Sequence, residues 1–376
     1  MTLWSPHQFA TAATDRLDAA AVQAAIEAAH ATQARGLPAI LTLNHLAVHT
    51  GLTYKYLRHI VERQYDPYRA FEMQKRGGGY RLICVPERSL MLVQRWIARY
   101  MLRSIAAHPC SFAYQPKKSI AQCASLHLGA NWLVKVDARQ FFESISEKQV
   151  YEVFRSVGYA SLVSMEMARI TTRLIPPRSS RARDSYWQVE QRQRYSIPWY
   201  SADRLGALPQ GAPTSPMLSN LAMREFDAAV EGEAKSLGWL YTRYSDDLIF
   251  STRGAHVKRS DAEQLIEVIY RRMNSQGLRP HQAKTVIAPP GARKIVLGLL
   301  VDGDRVRLTK DFRKSLECHA HYIRMLGPVA HAQHRKFLSV SGMKAHIYGL
   351  IAFAESIDGV FSSQIRQSLS GVLWPT

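Results

Sequence analysis

In a chain with 49 Lys+Arg against 30 Asp+Glu, the acids set between apolar runs are the chemically informative ones. Asp246 and Asp247 lie in Tyr241–Ser251 (YTRYSDDLIFS). Strand-forming residues on both sides predict a hairpin whose tight turn holds two adjacent carboxylates. Two carboxylates about 4 Å apart repel by about 4 kcal/mol at an effective dielectric of 20, so a fold that keeps them together needs a cation or a shared proton. Asp137 ends a separate apolar run (LVKVD) and could add a third carboxylate from a neighbouring strand. Three oxygen donors suit Mg²⁺, which keeps several waters and completes its shell from substrate phosphates. Two such ions about 4 Å apart would activate an attacking oxygen and stabilise a leaving one in an in-line phosphoryl transfer. The plain alternative is an acidic surface turn beside an unrelated strand-end aspartate.

The elements that must position these acids can be read from spacing. Asn131–Val136 reads as a buried strand ending at Asp137. Tyr68–Lys75 and Tyr80–Val85 flank Gly77-Gly78-Gly79, a hairpin by turn chemistry. No GK[ST] follows those glycines, so they are not a phosphate-cradling loop of the Walker kind. Ser89–Ile105 has helical spacing, and Asp15–Arg35 reads as an Ala-rich helix stopped by Gly36 and Pro38. Between Asn44 and Arg63, the residues Leu46, Ala47, Gly51, Leu57 and Ile60 have helix-turn-helix spacing. Two helices packed across a Gly turn need the same residues for core reasons alone. Residues 175–205 are rich in Arg and Pro and read as an exposed insertion. From Thr309 onward Phe312, Leu316, Ile323 and Leu326 share a helical side, with Lys310, Arg313, Lys314 and Arg324 elsewhere. His319, His321, His331 and His334 tempt a metal reading, but only Cys318 joins them, and a basic helix pair facing RNA is the expectation.

The whole chain has 376 residues, 47% of them hydrophobic and 21% charged, which is globular rather than disordered. Two or three structural units are expected. A formal charge of +19 points to a polyanionic partner, and nucleic acid fits better than membrane because no cationic amphipathic anchor is evident. No apolar run approaches the roughly 18 residues of a membrane span, and Ile295–Val301 is only core-sized. The start of the chain has no basic patch ahead of an apolar stretch, so no signal peptide is expected. Cys84, Cys110, Cys123 and Cys318 form no CxxC pair, which fits a reducing cytoplasm.

Taken in order, these segments resemble the motifs of reverse transcriptases, specifically the bacterial retron type. Asp137-Ala-Arg-Gln-Phe-Phe-Glu-Ser-Ile145 resembles the first palm motif. Leu208-Pro-Gln-Gly-Ala-Pro-Thr-Ser-Pro-Met-Leu-Ser-Asn220 resembles the second, and Tyr244-Ser-Asp-Asp247 the third. Lys75–Pro86 is similar to the fingers hairpin and Ser111–Ile120 to the segment after it. Gly277–Thr285 and Val296–Leu299 take the last palm positions. The resemblance covers about residues 45–350. It implies an α+β, right-hand polymerase fold with fingers, a ferredoxin-like palm and a helical thumb. The expected divisions are an N-terminal helical region over 1–65, fingers over 66–130, palm over 131–307 and a basic thumb over 308–376.

The same resemblance implies roles. Asp137 and Asp246 would hold two Mg²⁺ ions, with Asp247 supporting the site. Phe142 would stand under the sugar and exclude a 2′-hydroxyl, and Gln210 and Gly211 would lie close to the incoming dNTP and template. Tyr244 would pack by the primer end. Lys75 and Arg81 would clamp the triphosphate, and Lys284 would protonate the departing pyrophosphate. His127, Lys310, Arg313, Lys314 and Arg324 would contact RNA. Two retron markers are altered: Cys123-Ala-Ser-Leu-His127 lacks the usual Asn, and Val296-Leu297-Gly298 the usual Thr. The implied partners are a cognate structured non-coding RNA and its DNA product, a separate effector protein and a host RNase H, with a role in anti-phage defence. Another bacterial reverse transcriptase lineage with different priming stays open, as does a non-catalytic RNA-binding protein on a polymerase fold.

Overall fold

The computed structural model describes residues 18–75, 78–175, 185–189 and 200–375, together with positions 11 and 197. Most of the Arg- and Pro-rich insertion, Arg76-Gly77 of the first hairpin and Asp15 of the first helix lie outside the described residues.

The described chain opens with three helices: α1 (Ala19–Ala34), α2 (Leu43–Thr50) and α3 (Tyr54–Val61). Gly51 closes α2 at φ 68°, the left-handed conformation that a residue without Cβ adopts at no steric cost. Leu46, Ala47, Leu57, Ile60 and Val61 are all buried in the main core, so packing accounts for the helix-turn-helix spacing. Next, β1 (Tyr68–Gln74) and β2 (Tyr80–Pro86) form the expected antiparallel hairpin, paired from Tyr68↔Pro86 to Gln74↔Tyr80. Helix α4 (Arg88–Ile97) follows and widens into a π turn over Ala98–Leu102. The short α5 (Ile120–Ser125) starts with a capping box between Ser119 and Gln122.

The organising element is β3 (Trp132–Arg139), followed by α6 (Glu147–Ser156) and α7 (Ser161–Thr171). Two-residue strands β4 (Arg173–Leu174) and β5 (Gly206–Ala207) pair with each other. Helices α8 (Ser215–Ala222) and α9 (Arg224–Ser236) lead into β6 (Leu240–Tyr244) and β7 (Asp247–Thr252). Helix α10 (Arg259–Ser275) precedes β8 (Arg279–Pro280) and β9 (Val286–Ala288), both of which pair with β3. The order β6-β7-β3-β9 places the second, third, first and fourth strands side by side, all antiparallel. That is the ferredoxin-like arrangement expected of the palm.

Alternation along β3 gives the sheet two apolar faces. Trp132, Val134 and Val136, with Leu248 and Phe250 of β7, face the core built from α2–α4 and α6–α10. Leu133 and Ile249 face a second core with the C-terminal helices. Those helices follow a small sheet of β10 (Ile295–Val296), β11 (Leu299–Leu300) and β12 (Arg307–Leu308). They are α11 (Lys310–His334), bent where Gly327 adopts φ 79° before Pro328, then α12 (Val340–Glu355) and α13 (Gly359–Leu369). Leu316, Ile323, Ile347, Ile351 and Ile365 bury their faces there. Each such side chain stabilises the fold by about 1.5–3 kcal/mol.

An ion cluster joins the N-terminal helices to the sheet's helical layer. Glu147 is 7% exposed and accepts from Arg63 Nη2 (2.5 Å), Arg169 Nε (2.9 Å) and the Gly206 amide (2.9 Å). A Cβ at Gly206 would stand 2.6 Å from Arg63 Nη2 and 2.8 Å from Thr172 Oγ1, so the β5 backbone comes this close only as glycine. The two guanidiniums hold the Glu147 carboxyl below the usual range against the opposing effect of burial. Replacing Glu147 with Gln leaves two buried guanidiniums without a counter-charge. We expect a loss of about 3–5 kcal/mol, read as a lower urea midpoint with an unchanged slope.

Candidate active site

The turn between β6 and β7 contains only Ser245 and Asp246, because Tyr244 already pairs with Asp247. Asp247 also lies directly opposite Asp137 of β3. The Ala138 amide donates to the Asp246 carbonyl at 3.1 Å. This places the Asp137–Asp247 pair at a non-hydrogen-bonded position, where Cβ atoms approach to about 4.5–5.5 Å and side chains leave the same face. Asp246 is thus joined through the backbone to the residue after Asp137. The three carboxylates predicted from separate segments meet at one end of the sheet.

The electrostatics are those of acids held together against their preference. Burial pushes the Asp247 carboxyl up to about 6, and the charges of Asp246 and Asp137 add to it. Burial also raises Asp246, with Asp137 contributing, while Lys284 and Arg81 oppose the rise. Lys284 Nζ lies 3.0 Å from Asp137 Oδ2. This is the single ion pair formed by the triad among the described residues. Three clustered carboxylates with one ammonium are under-neutralised, and an all-oxygen donor set of this kind fits a hard divalent cation.

The other residues predicted from the sequence fall around this cluster to differing degrees. Phe142 opens a short 3-10 turn (Phe142–Ser144) and its ring lies 6.3 Å from Tyr114 and 5.6 Å from Phe141. The Gln210 carbonyl accepts from the Cys84 amide at 2.7 Å, which docks the first hairpin against the loop before α8. Gly211, at φ 112°, is pressed into β2: a Cβ there would sit 3.0 Å from the Cys84 carbonyl oxygen. Arg81 projects from β2 and its charge reaches Asp246. Tyr244 is half-buried on the same side as Asp247. Lys75 stands at the hairpin tip facing solvent, and no contact brings it to the carboxylates.

Two expectations need correction, at His127 and at the His319 and His331 pair. His127 is 1% exposed, and its ring nitrogens bond Ser251 Oγ and Thr242 Oγ1, both at 2.7 Å. Burial lowers its pKa to about 4, so it is a neutral internal strut under the sheet and is closed to RNA. Arg313 pairs with Asp358 and lies over the Phe361 ring at 4.6 Å; it ties α11 to α13. Lys310, Lys314 and Arg324 stay exposed. His319 and His331 do not form an RNA-facing row, because both are buried and bond each other at 2.9 Å across the bend in α11.

What the sequence reading missed is the support of the turn. Tyr114 OH lies 2.9 Å from Ser245 Oγ, and Arg243 donates to the Ser245 carbonyl at 3.0 Å. Arg243 sits immediately before Tyr244-Ser-Asp-Asp247. A lone arginine in an apolar strand was the available signal.

Residues 73–338 match the family model described as reverse transcriptase (RNA-dependent DNA polymerase). Over 325 residues the chain is 28% identical to the Retron Ec86 reverse transcriptase of Escherichia coli, covering 86% of this chain and 87% of that protein. It is 30% identical over 304 residues to the Retron Mx162 reverse transcriptase of Myxococcus xanthus, covering 77% of this chain and 60% of the relative. A solved structure of telomerase from Candida albicans, in complex with a TWJ fragment of telomeric RNA, superposes with a TM-score of 0.41 at 12% identity. That match covers 82% of this chain and 56% of the telomerase chain.

The raised Asp247 carboxyl makes a signed prediction. Because its folded-state value of about 6 exceeds the ordinary 3.8, its stabilising contribution is present below pH 3.8 and is lost as pH rises through 6. Asp247→Asn removes that loss. The metal-free variant should therefore melt above the parent at pH 7, and the difference should vanish as pH falls toward 4. A parent and variant with equal melting temperatures at pH 7 would contradict the burial argument.

Proposed function

Because the chain belongs to the reverse transcriptase family, we propose that this RNA-directed DNA polymerase serves a retron, copying a cognate structured RNA into short DNA from an internal 2′-hydroxyl. The observation that carries the reading is the meeting of Asp137, Asp246 and Asp247 at one sheet end, supported by the similarity to retron enzymes over most of the chain. The chain divides on this reading into helical region, fingers, palm and thumb at about residues 65, 130 and 307.

Asp137 and Asp246 would hold two Mg²⁺ ions, with Asp247 beside them. Bound there, the ions would supply charge neutralisation for an attacking hydroxyl and for the pyrophosphate that leaves. The chain's own residues do the rest. Arg81 meets triphosphate oxygens with a planar fork, which suits phosphate better than a point charge does, and Lys75 joins it in the clamp. Phe142 fills the space a 2′-hydroxyl would need. Gln210 and Gly211 present an amide and a bare backbone to the nucleotide and template, and Tyr244 packs by the primer end. Lys284, already beside Asp137, gives its proton to the departing pyrophosphate. Lys310, Lys314 and Arg324 meet RNA phosphates on a helical surface that reads shape rather than bases.

The priming group is the 2′-hydroxyl of a guanosine inside the RNA, which leaves RNA and DNA joined. The copied RNA is removed by a host RNase H, and the protein–nucleic acid complex acts with a separate effector in anti-phage defence. The altered markers at Cys123–His127 and Val296–Gly298 remove an amide and a hydroxyl, so the RNA contacts of those groups are not carried over to this chain. In this chain the first segment packs under the sheet, and Leu297-Gly298 form a two-residue turn with φ of 49° and 82°.

Expression with the native flanking DNA tests the proposal. Copurified nucleic acid should contain short DNA joined to RNA, absent from Asp246→Ala, whereas unlinked DNA would keep the polymerase and discard the retron. Phe142→Ala should admit rNTPs, measured as the ratio of ribo- to deoxynucleotide incorporation; an unchanged ratio removes Phe142 from that role. Alanine at Lys310, Lys314 and Arg324 together should reduce the salt dependence of RNA affinity by about three in log–log slope.

A further inference from the structure

The Ser245–Asp246 turn has an unusual backbone. Ser245 has φ 59°, and Asp246 is not among the positive-φ residues. A two-residue hairpin turn with positive φ only at its first central position is the kind that normally takes glycine there. A serine in that place is strained and persists only if its surroundings hold it. Ser245 is 6% exposed, so water does not supply the restraint.

Tyr114 OH, 2.9 Å from Ser245 Oγ, supplies part of the restraint; the other part comes from Arg243, which lies opposite Leu248 on the core face of the sheet and is fully buried. Its Nε and Nη2 bond the two carboxylate oxygens of Asp227, each at 2.7 Å. Its Nη1 donates to the Ser245 carbonyl at 3.0 Å and to Asn220 Oδ1 at 3.2 Å. Its own backbone is pinned as well: the amide donates to the Cys110 carbonyl and the carbonyl accepts from the Phe112 amide, both at 2.8 Å. Asp227 and Glu231, one turn apart on α9, fasten both partners. Asp227 also accepts from Tyr241 OH at 2.8 Å, and Glu231 accepts from the Cys110 thiol at 2.9 Å. Asn220 is held in turn by Ser111 Oγ and by the Ala113 carbonyl. Asp227 and Asn220, the side chains that bond the Arg243 guanidinium, are thus themselves anchored.

A buried ion pair adds little net stability over apolar residues of the same volume. What no apolar residue supplies is an N–H aimed at the Ser245 carbonyl, and what lysine does not supply is a fork that serves three partners at once. We propose that Arg243 is a positioning residue: braced by Asp227, it holds the strained Ser245 peptide and so fixes where Asp246 stands against Asp137. The inference rests on the catalytic reading of Asp246.

The test compares full-length Arg243→Lys with Leu57→Ala, a core truncation in α3. Both are assayed for melting temperature, RNA affinity, and the Mg²⁺ dependence of DNA synthesis on an oligonucleotide-primed RNA template. If Arg243 positions Asp246, Arg243→Lys slows synthesis by about tenfold to a hundredfold and raises the half-saturating Mg²⁺ concentration severalfold, with RNA affinity unchanged. Leu57→Ala lowers the melting temperature and leaves the Mg²⁺ midpoint where it was. An Arg243→Lys protein whose Mg²⁺ midpoint matches the parent, and whose rate follows its folded fraction, overturns the proposal. Should Arg243→Lys not fold, Asp227→Asn keeps the volume, removes the brace and is judged on the same midpoint. Asp246→Ala run in parallel separates the two claims: if it still synthesises DNA, the catalytic reading itself fails.

Discussion

Three carboxylates held within reach of one another, at a site partly closed to water, are the constraint around which this molecule is arranged. Left alone they would separate or take up protons, and Asp247 is already pushed toward protonation. The opposing work falls to the backbone. Asp137 and Asp247 are fixed by antiparallel register, and Asp246 by the hydrogen bond from Ala138 to its carbonyl. Lys284 and Arg81 offset part of the charge. A site assembled this way is costly without its cation, and stability is given up where binding needs it.

The sheet bears that cost because both of its faces are packed. Val134, Val136, Leu248 and Phe250 face one core, while Leu133 and Ile249 face the other. Side chains on the second face alternate with the first, so Leu133, Lys135 and Asp137 share it. The C-terminal helices pack against its Leu133 end. The same face is therefore a structural seam at one end and a reactive surface at the other.

The basic balance of the chain has two uses, and only one faces outward. Arg63 and Arg169 neutralise Glu147, Arg243 braces the turn, and Arg313 ties two helices together. These are places where a planar, permanently charged fork can serve several acceptors inside the protein. The exposed lysines and arginines are the ones able to face a polyanion. A net charge of +19 thus overstates the binding surface if it is read as surface alone.

How much was legible in the sequence depends on how far apart the partners are. The two hairpins, the strand that carries Asp137 and the helical spacing after Thr309 were readable, because turn chemistry and side-chain period are local; the strand, however, runs on to Arg139, and Asp247 falls in β7 rather than in the turn. The ordered motifs also identified the three acids before any geometry was known. The sequence did not reveal that Lys284 would stand beside Asp137, that His127 would be enclosed by Thr242 and Ser251, or that Arg313 would belong to Asp358. Nor did it mark Arg243 as the support of the turn two residues away, since its other anchors come from α8, α9 and the loop after α4. The sequence by itself determined which residues could do chemistry and the elements that carry them. Only the tertiary structure decided which polar groups meet, because partners are chosen by packing between different elements, from 16 residues apart for Arg243 and Asp227 to 147 for Lys284 and Asp137, and no local pattern records that choice.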